Sequence, residues 1–68
     1  MMQKVESSNI EAVGYNQSTE ELFIEFKNGV TYKYEKVSFN VFIDLLDADS
    51  IGSFFYKHIR SDYAFTKL

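Results

Sequence analysis

The amino-acid sequence predicts one α+β domain over residues 1–68, with a three-stranded antiparallel meander followed by two C-terminal helices packed on one face of the sheet. Three early segments are rich in β-branched and aromatic residues and are bounded by turn-forming residues. After residue 37 the apolar spacing changes from alternation to a helical period. The chain has no proline and only three glycines, so we expect short connections and no interdomain linker.

The three predicted strands span residues 10–15, 22–26 and 30–34. The first connection, residues 16–20, is polar and has the length of a hairpin loop. Asn28-Gly29 marks the second turn, because both residues tolerate the positive φ that tight hairpins need. Consecutive strands joined by such short loops predict an antiparallel meander.

The register of the second hairpin follows from the faces of its strands. A two-residue turn would set an apolar face against a polar one, as at Ile24 and Lys33. A three-residue loop at residues 27–29, with a left-handed Gly29, instead places apolar side chains opposite each other. The pairs in this register are Leu22 with Tyr34, Ile24 with Tyr32 and Phe26 with Val30. We therefore predict the three-residue loop.

The first helix is predicted over residues 39–47, with Ser38 as its N-cap. Its apolar residues form two rows. The row expected to face the sheet contains Val41, Phe42, Leu45 and Ala48. The second row contains Phe39, Ile43 and Leu46, and one sheet cannot cover it as well. The second helix or an identical subunit could bury this second row, so it is a candidate interface.

Ser50 is predicted to cap a second helix that runs to about Arg60 and turns Ile51, Phe55 and Ile59 toward the core. The apolar segment 63–68 could add a short edge strand or cover one end of the core. Both alternatives stay open at this point.

Composition and charge exclude several functions. The absence of cysteine excludes disulfides, thiolate nucleophiles and sulfur-ligated zinc. His58 is the only imidazole, and no motif supports a metal site, a cofactor or a catalytic centre, so we predict a non-catalytic protein. A net charge of −3 opposes nonspecific attraction to nucleic acid. The sequence predicts no membrane insertion or secretion, and a cytoplasmic location is the expectation.

Two short segments are candidate ligand sites. Ser50, Gly52 and Ser53 lie where a helix N-terminus would present free amides to an anion, with Lys57 one turn later. The structural alternative is that Ser50 only caps the helix and Gly52 allows close packing against Val37 or the first helix. The Tyr-Lys-Tyr segment 32–34 resembles base-stacking sheets, but alternation turns both rings toward the core, which favours a structural role.

Four short motifs lie along nearly the whole chain, namely Ser7-Ser8-Asn9-Ile10, Val13-Gly14-Tyr15, Tyr32-Lys33-Tyr34 and Ala48-Asp49-Ser50-Ile51-Gly52. In this order and spacing they resemble the KTSC domain family. That domain carries a central Tyr-x-Tyr and occurs either alone or as a C-terminal extension of some lysyl-tRNA synthetases. The chain departs from the family pattern at Ser38, where proline is expected, and at Tyr56, where asparagine is common.

The resemblance implies RNA binding, because of the proteins in which the domain occurs. The first functional hypothesis is therefore recognition of RNA or a nucleotide. Its predicted ligand-binding residues are Ser50, Gly52, Ser53, Lys57, Arg60 and Tyr34. The alternative is a protein-interaction or homo-oligomeric assembly module that uses Phe39, Ile43, Leu46 and an exposed sheet edge.

Overall fold

The computed structural model describes residues 2–68; Met1, the first residue of the predicted domain, lies outside the described residues. One antiparallel sheet contains five strands in the order β1-β2-β3-β4-β5. The strands are β1 (Met2–Lys4), β2 (Ile10–Asn16), β3 (Glu21–Phe26), β4 (Thr31–Tyr34) and β5 (Phe65–Lys67), and the helices are α1 (Phe39–Asp47) and α2 (Ile51–His58). The α+β class and the two helices are as predicted.

The prediction of three strands before the helices was wrong, because β1 adds a fourth. Its residues pair with β2, with Met2 opposite Gly14 and Lys4 opposite Ala12. All three side chains of β1 are exposed, so no buried alternating face marks the strand in the sequence. The backbone ladder to β2 forms it instead.

The C-terminal segment forms the short edge strand β5, which resolves the alternative left open by the sequence. Phe65 lies opposite Tyr34 and Lys67 opposite Tyr32, so β5 extends the sheet beyond β4. All three residues of β5 are exposed. The strand therefore contributes a rim to the sheet rather than a lid over the core.

The predicted three-residue loop between β3 and β4 is confirmed. Leu22 lies opposite Tyr34 and Ile24 opposite Tyr32. The amide of Phe26 donates a hydrogen bond to the carbonyl of Val30 at 2.9 Å, and Gly29 has φ +91°. The apolar side chains of both strands consequently lie on the face that the helices cover.

Both helices begin at the predicted caps. The Ser38 hydroxyl accepts a hydrogen bond from the Val41 amide at 3.4 Å, and the Ser50 hydroxyl accepts one from the Ser53 amide at 3.2 Å. The helices pack on one face of the sheet, and the core lies between the helices and the sheet. The core residues are Ile10, Val13, Leu22, Ile24, Tyr34, Val37, Leu45, Phe55 and Ile59. Neither helix of residues 2–68 combines the length and apolarity needed to span a bilayer.

The second apolar row of α1 is only partly covered. Leu46 packs against the core, and the Phe39 ring lies 5.8 Å from that of Tyr15. Phe39 nevertheless stays 42% exposed and Ile43 37% exposed. The second helix does not bury the whole row, and the chain leaves two neighbouring apolar side chains at the surface of α1.

A tyrosine joins the sheet to the start of α1. The Tyr15 hydroxyl donates a hydrogen bond of 2.6 Å to the carbonyl of Val37, and its ring stacks on Phe42 with centroids 5.0 Å apart. The Val37 amide donates to the carbonyl of Glu20 at 2.9 Å. Glu20 and Lys36 have positive φ, at 57° and 58° respectively. Two residues in the left-handed conformation therefore lie beside the Val37–Glu20 hydrogen bond.

Candidate functional site

A polar cleft of about 390 Å³ lies where α2 begins. One wall comes from the loop between β1 and β2, with Ser7, Ser8 and Asn9, and the other from the first two turns of α2. Four predicted ligand residues line it, namely Ser50, Gly52, Ser53 and Lys57. The fold therefore brings together the first and the last of the four sequence motifs.

Gly52 provides the close approach between the two walls. A Cβ at this position would lie 3.2 Å from Asn9 Oδ1 and 3.4 Å from Ser7 Oγ. The expected packing of Gly52 against Val37 or α1 was wrong, because Ser7 and Asn9 of the β1–β2 loop lie against this turn instead. The small residue keeps the cleft open beside the β1–β2 loop.

Several polar groups of the cleft are already occupied. Ser50 Oγ accepts from the Ser53 amide, and Ser7 Oγ accepts from the Ile10 amide at 3.3 Å. A helix N-terminus lacks intrahelical partners for its first amides, which leaves Ile51 and Gly52 as donors to a ligand. The predicted anion-binding site at the start of α2 thus has fewer free amide donors than the sequence suggested.

The charges around the polar cleft oppose an anion. Glu6 and Asp49 line it together with Lys57, so two carboxylates face one ammonium. The two carboxylates raise the free energy of a bound phosphate and the one ammonium lowers it, so the net negative charge of the lining disfavours a phosphate. The polar cleft is better suited to hydrogen bonding with neutral groups than to holding a phosphate.

A second cavity, the aromatic pocket, lies at the other end of α2; it is open to solvent and has a volume of about 460 Å³. Its walls come from β3, β4, β5, α2 and the segment that follows α2. The described lining residues are Phe26, Tyr32, Tyr34, Phe55, Arg60, Ser61, Tyr63 and Phe65. Six of the eight are aromatic, and Arg60 is the only charged one.

The rings of the aromatic pocket hold each other in edge-to-face contact. The Phe55 ring meets that of Phe26 at 5.5 Å and 70° and that of Tyr34 at 5.5 Å and 76°. Tyr32 meets Phe65 at 5.6 Å and 84°. Such arrangements are the preferred geometry of aromatic pairs. The pocket walls are thus mutually supported, although Phe65 on the edge strand is 56% exposed.

Arg60 stands between the two cavities. The predicted helix end was two residues too late, because α2 ends at His58 and the Arg60 amide donates to the Phe55 carbonyl at 2.9 Å. The guanidinium lies 4.7 Å from the centre of the Tyr56 ring, which is within cation–π range. Tyr56 lines the polar cleft, and Arg60 lines the aromatic pocket.

The charge of Arg60 reaches the floor of the aromatic pocket. Burial raises the pKa of the Tyr34 phenol above its ordinary value of 10.0, and the neighbouring Tyr32 raises it further, whereas Arg60 lowers it. Arg60 opposes the rise because a nearby positive charge favours the phenolate, and its effect is the smallest of the three. The pocket is therefore apolar in its walls and electropositive at one side.

The family model of the KTSC domain matches residues 6–63. This chain belongs to the KTSC domain family. A crystal structure of a KTSC domain protein from Yersinia pestis is similar, with a TM-score of 0.95 and 32% identity, covering 100% of this chain and 96% of that one. The expectation drawn from the four motifs is confirmed, and the two departures at Ser38 and Tyr56 leave the fold unchanged.

Two kinds of relative match this KTSC domain. A protein of Tsukamurella paurometabola is 51% identical over 53 residues, which are 78% of this chain and 79% of that protein. A lysine–tRNA ligase of Nostoc punctiforme is 42% identical over 65 residues. These residues cover 96% of this chain but only 12% of the ligase. The domain is thus a small part of the ligases that it matches.

The structure divides the predicted ligand residues of the KTSC domain between the two cavities. Four line the polar cleft, whereas Arg60 and Tyr34 line the aromatic pocket. Tyr34 is only 3% exposed, as its alternating position predicted, yet it forms part of a cavity wall. The role of these residues in binding stays a prediction.

Sequence reasoning missed other residues around the cavities. The signal for Phe65 was the apolar C-terminal segment, but its pairing with β4 was undecided. Ser7 and Asn9 belong to a motif whose place beside α2 depends on tertiary contacts. His58 is exposed, and its ring lies 4.8 Å from that of Phe54. Among residues 2–68 no group of three potential metal ligands of the His, Cys, Asp and Glu types comes together.

Proposed function

We propose that this KTSC domain is a non-catalytic binding module that recognises RNA or a nucleotide through the surface around α2. The observation that carries the proposal is the position of Arg60 between the exposed ring of Tyr56 and the aromatic pocket. Aromatic rings beside a cation are the usual means by which proteins bind unpaired nucleotides, since bases stack on the rings and the cation attracts phosphate.

The relatives support this proposal. Lysine–tRNA ligases act on an RNA by name, and the region that matches this chain is 12% of the length of each of three such ligases. A domain with an RNA-binding surface would add affinity to such a protein without changing its catalytic centre. The proposed role implies a cytoplasmic location, which stays a prediction.

The net charge of −3 restricts the kind of nucleic acid. Duplex binding depends on many basic contacts to phosphates, and the carboxylates at the polar cleft would repel a long charged helix. One arginine with several aromatic rings fits a short unpaired segment instead, because stacking needs no net positive charge.

Charge reversal at Arg60 tests the proposal. In a fluorescence anisotropy titration with labelled single-stranded RNA, we expect Arg60→Glu to weaken binding by about tenfold or more, in line with the value of charge-assisted contacts. Lys4→Glu is the matched control, because it makes the same change in net charge. Lys4 lies on β1, at the edge of the sheet opposite β5, the strand that borders the aromatic pocket. Equal affinities of the two variants, or no binding by the wild-type domain, would refute the proposal.

Self-association through α1 is the second candidate function. Phe39 and Ile43, four residues apart on one helix face, are 42% and 37% exposed, and such unpartnered apolar side chains favour an interface. The predicted third member, Leu46, packs against the core, which makes the patch smaller than expected. Native mass spectrometry decides this alternative, since Ile43→Glu should convert an oligomer to a monomer while leaving the RNA titration unchanged.

A further inference from the structure

The aromatic pocket has the properties of a preformed ligand site. Its volume of about 460 Å³ falls within the ~300–1,000 Å³ of small-molecule pockets. The edge-to-face contacts of Phe26, Tyr34 and Phe55 fix the rings that form its floor. A ligand entering it would therefore require little rearrangement of the protein, and preorganised sites lose less free energy on binding.

The chemistry of the pocket narrows the class of ligand. Aromatic pockets often bind organic cations such as methylated ammonium groups. Here Arg60 is the only charged lining residue among the described ones, and it would repel a cation. A planar, neutral ring that carries an anionic group satisfies both features, because the ring contacts the aromatic walls and the anion contacts the guanidinium.

Hydroxyl groups of the pocket lining can form hydrogen bonds with the edge of such a ring. The hydroxyls of Tyr32, Tyr34 and Ser61 belong to lining residues, and a phenol can donate to or accept from the edge of a base. Tyr34 has a raised pKa, so its hydroxyl keeps its proton at neutral pH and can donate. Nucleobases combine a flat π face with such hydrogen-bonding edges.

We infer that the aromatic pocket holds one unstacked base of a single-stranded RNA, with Phe65 and Tyr32 against the ring and Arg60 on the adjoining phosphate. This inference rests on the proposed function and assigns the binding to one cavity. A strand is favoured over a free nucleotide by the exposed Tyr56 ring on the other side of Arg60. Tyr56 is 64% exposed, and it offers a second stacking surface to the neighbouring nucleotide.

Phe65→Ala is the decisive variant. Its side chain is 56% exposed on the edge strand, so its removal takes away one pocket wall with little loss of core packing. The probe is a fluorescein-labelled single-stranded RNA of about 8 nucleotides, within the ~4–16 nucleotides that small single-strand binding folds cover. Base stacking on an aromatic ring is worth ~1–3 kcal/mol, so we expect about 5- to 150-fold weaker binding.

Two further variants separate a site from a general effect. Phe39→Ala removes another partly exposed ring, on α1, and should leave the affinity unchanged. Phe65→Trp keeps an aromatic wall and should retain binding. The amide NMR spectrum of each variant shows whether the domain keeps its fold. If Phe65→Ala unfolds the domain, the retained binding of Phe65→Trp and the shifts of the Tyr34 and Phe55 resonances on adding RNA to the wild type test the same pocket.

The possible results have distinct meanings. Weaker binding by Phe65→Ala, with Phe39→Ala and Phe65→Trp unchanged, is the expected result. RNA binding that is sensitive to Arg60→Glu but not to Phe65→Ala would overturn the assignment of the pocket while the proposed function survives. Equal affinity for duplex RNA, or for a mononucleotide such as AMP, would overturn the single-strand assignment. No binding of any RNA would overturn both the inference and the proposed function.

Discussion

Tyr15→Phe removes one hydroxyl and tests how the sheet is joined to α1. In the wild-type chain this hydroxyl donates a hydrogen bond of 2.6 Å to the Val37 carbonyl, across 22 residues of sequence. The phenylalanine ring can still stack on Phe42, so the substitution isolates the hydrogen bond. Val37 is 0% exposed in the wild-type chain, so its carbonyl has the Tyr15 hydroxyl rather than water as its partner.

The magnitude follows from that burial. A hydrogen bond whose loss lets water replace the donor costs about 0.5–1.5 kcal/mol, whereas a buried acceptor left without a partner costs about 1–3 kcal/mol. The second case applies to Val37. In a domain of this size 1 kcal/mol corresponds to about 4–8 °C in Tm. We therefore expect Tyr15→Phe to lower Tm by at least about 4 °C.

Urea and thermal unfolding, followed by circular dichroism, measure this loss. Tyr56→Phe is the matched control, because Tyr56 is 64% exposed and the removal of its hydroxyl should change the free energy of unfolding by less than about 0.5 kcal/mol. If Tyr15→Phe lies within that same margin, the Tyr15–Val37 hydrogen bond does not stabilise the fold and the reasoning fails.

The raised pKa of the Tyr15 phenol predicts a separate dependence of stability on alkaline pH. Burial raises the pKa of Tyr15 above 10.0, and the Glu20 carboxylate raises it further. Because the folded state holds the proton more tightly, this stability is fully present below pH 10 and is lost as the pH rises through the higher folded pKa. Wild type should therefore lose stability more steeply above pH 10 than Tyr15→Phe does. Equal slopes would contradict the assigned cause.

Two further predictions concern the hairpin loop and the outer face of the sheet. Gly29 has φ +91°, and a Cβ at this position would meet no atom within 4 Å. Gly29→Ala should therefore lower the free energy of unfolding only by the backbone strain, about 1–2 kcal/mol. Gly29→Asn should lower it less in urea unfolding, and equal losses would refute this. The pKa of Glu21 is lowered, first by the Thr19 hydroxyl and then by Lys33, so its contribution is present above pH 4.5 and is lost as the pH falls through the lower folded pKa. Glu21→Gln should therefore reduce the loss of stability in acid, and an unchanged acid profile would contradict the assignment.

The accuracy of the fold prediction differed between local and distant features. The hairpin at Gly29 was predictable because only one register places apolar side chains opposite each other. Ser38 and Ser50 were predictable because a hydroxyl at an N-cap acts on an amide three residues away. The strand β1 was missed because it buries no side chain, and burial is the signal on which strand prediction depends.

The candidate site was predictable in its residue types but not in its assembly. Ser50, Gly52, Ser53 and Lys57 are close in sequence and stay together in the structure. Arg60 and Tyr34 lie on a different cavity, because α2 ends after His58 and the chain then turns toward β4. The distance between residues on different elements depends on packing, which local periodicity does not encode.

The sequence by itself determined the α+β class, the strand register at the second hairpin, the helix caps and the family, since each of these depends on short-range spacing. Only the tertiary structure decided that β5 completes the aromatic pocket, that Glu6 and Asp49 oppose an anion at the polar cleft, and that Arg60 lies between the two cavities. These features arise from side chains brought together by the pairing of β5 with β4 and by the docking of α2. Long-range contacts of this kind leave no periodic pattern in one sequence.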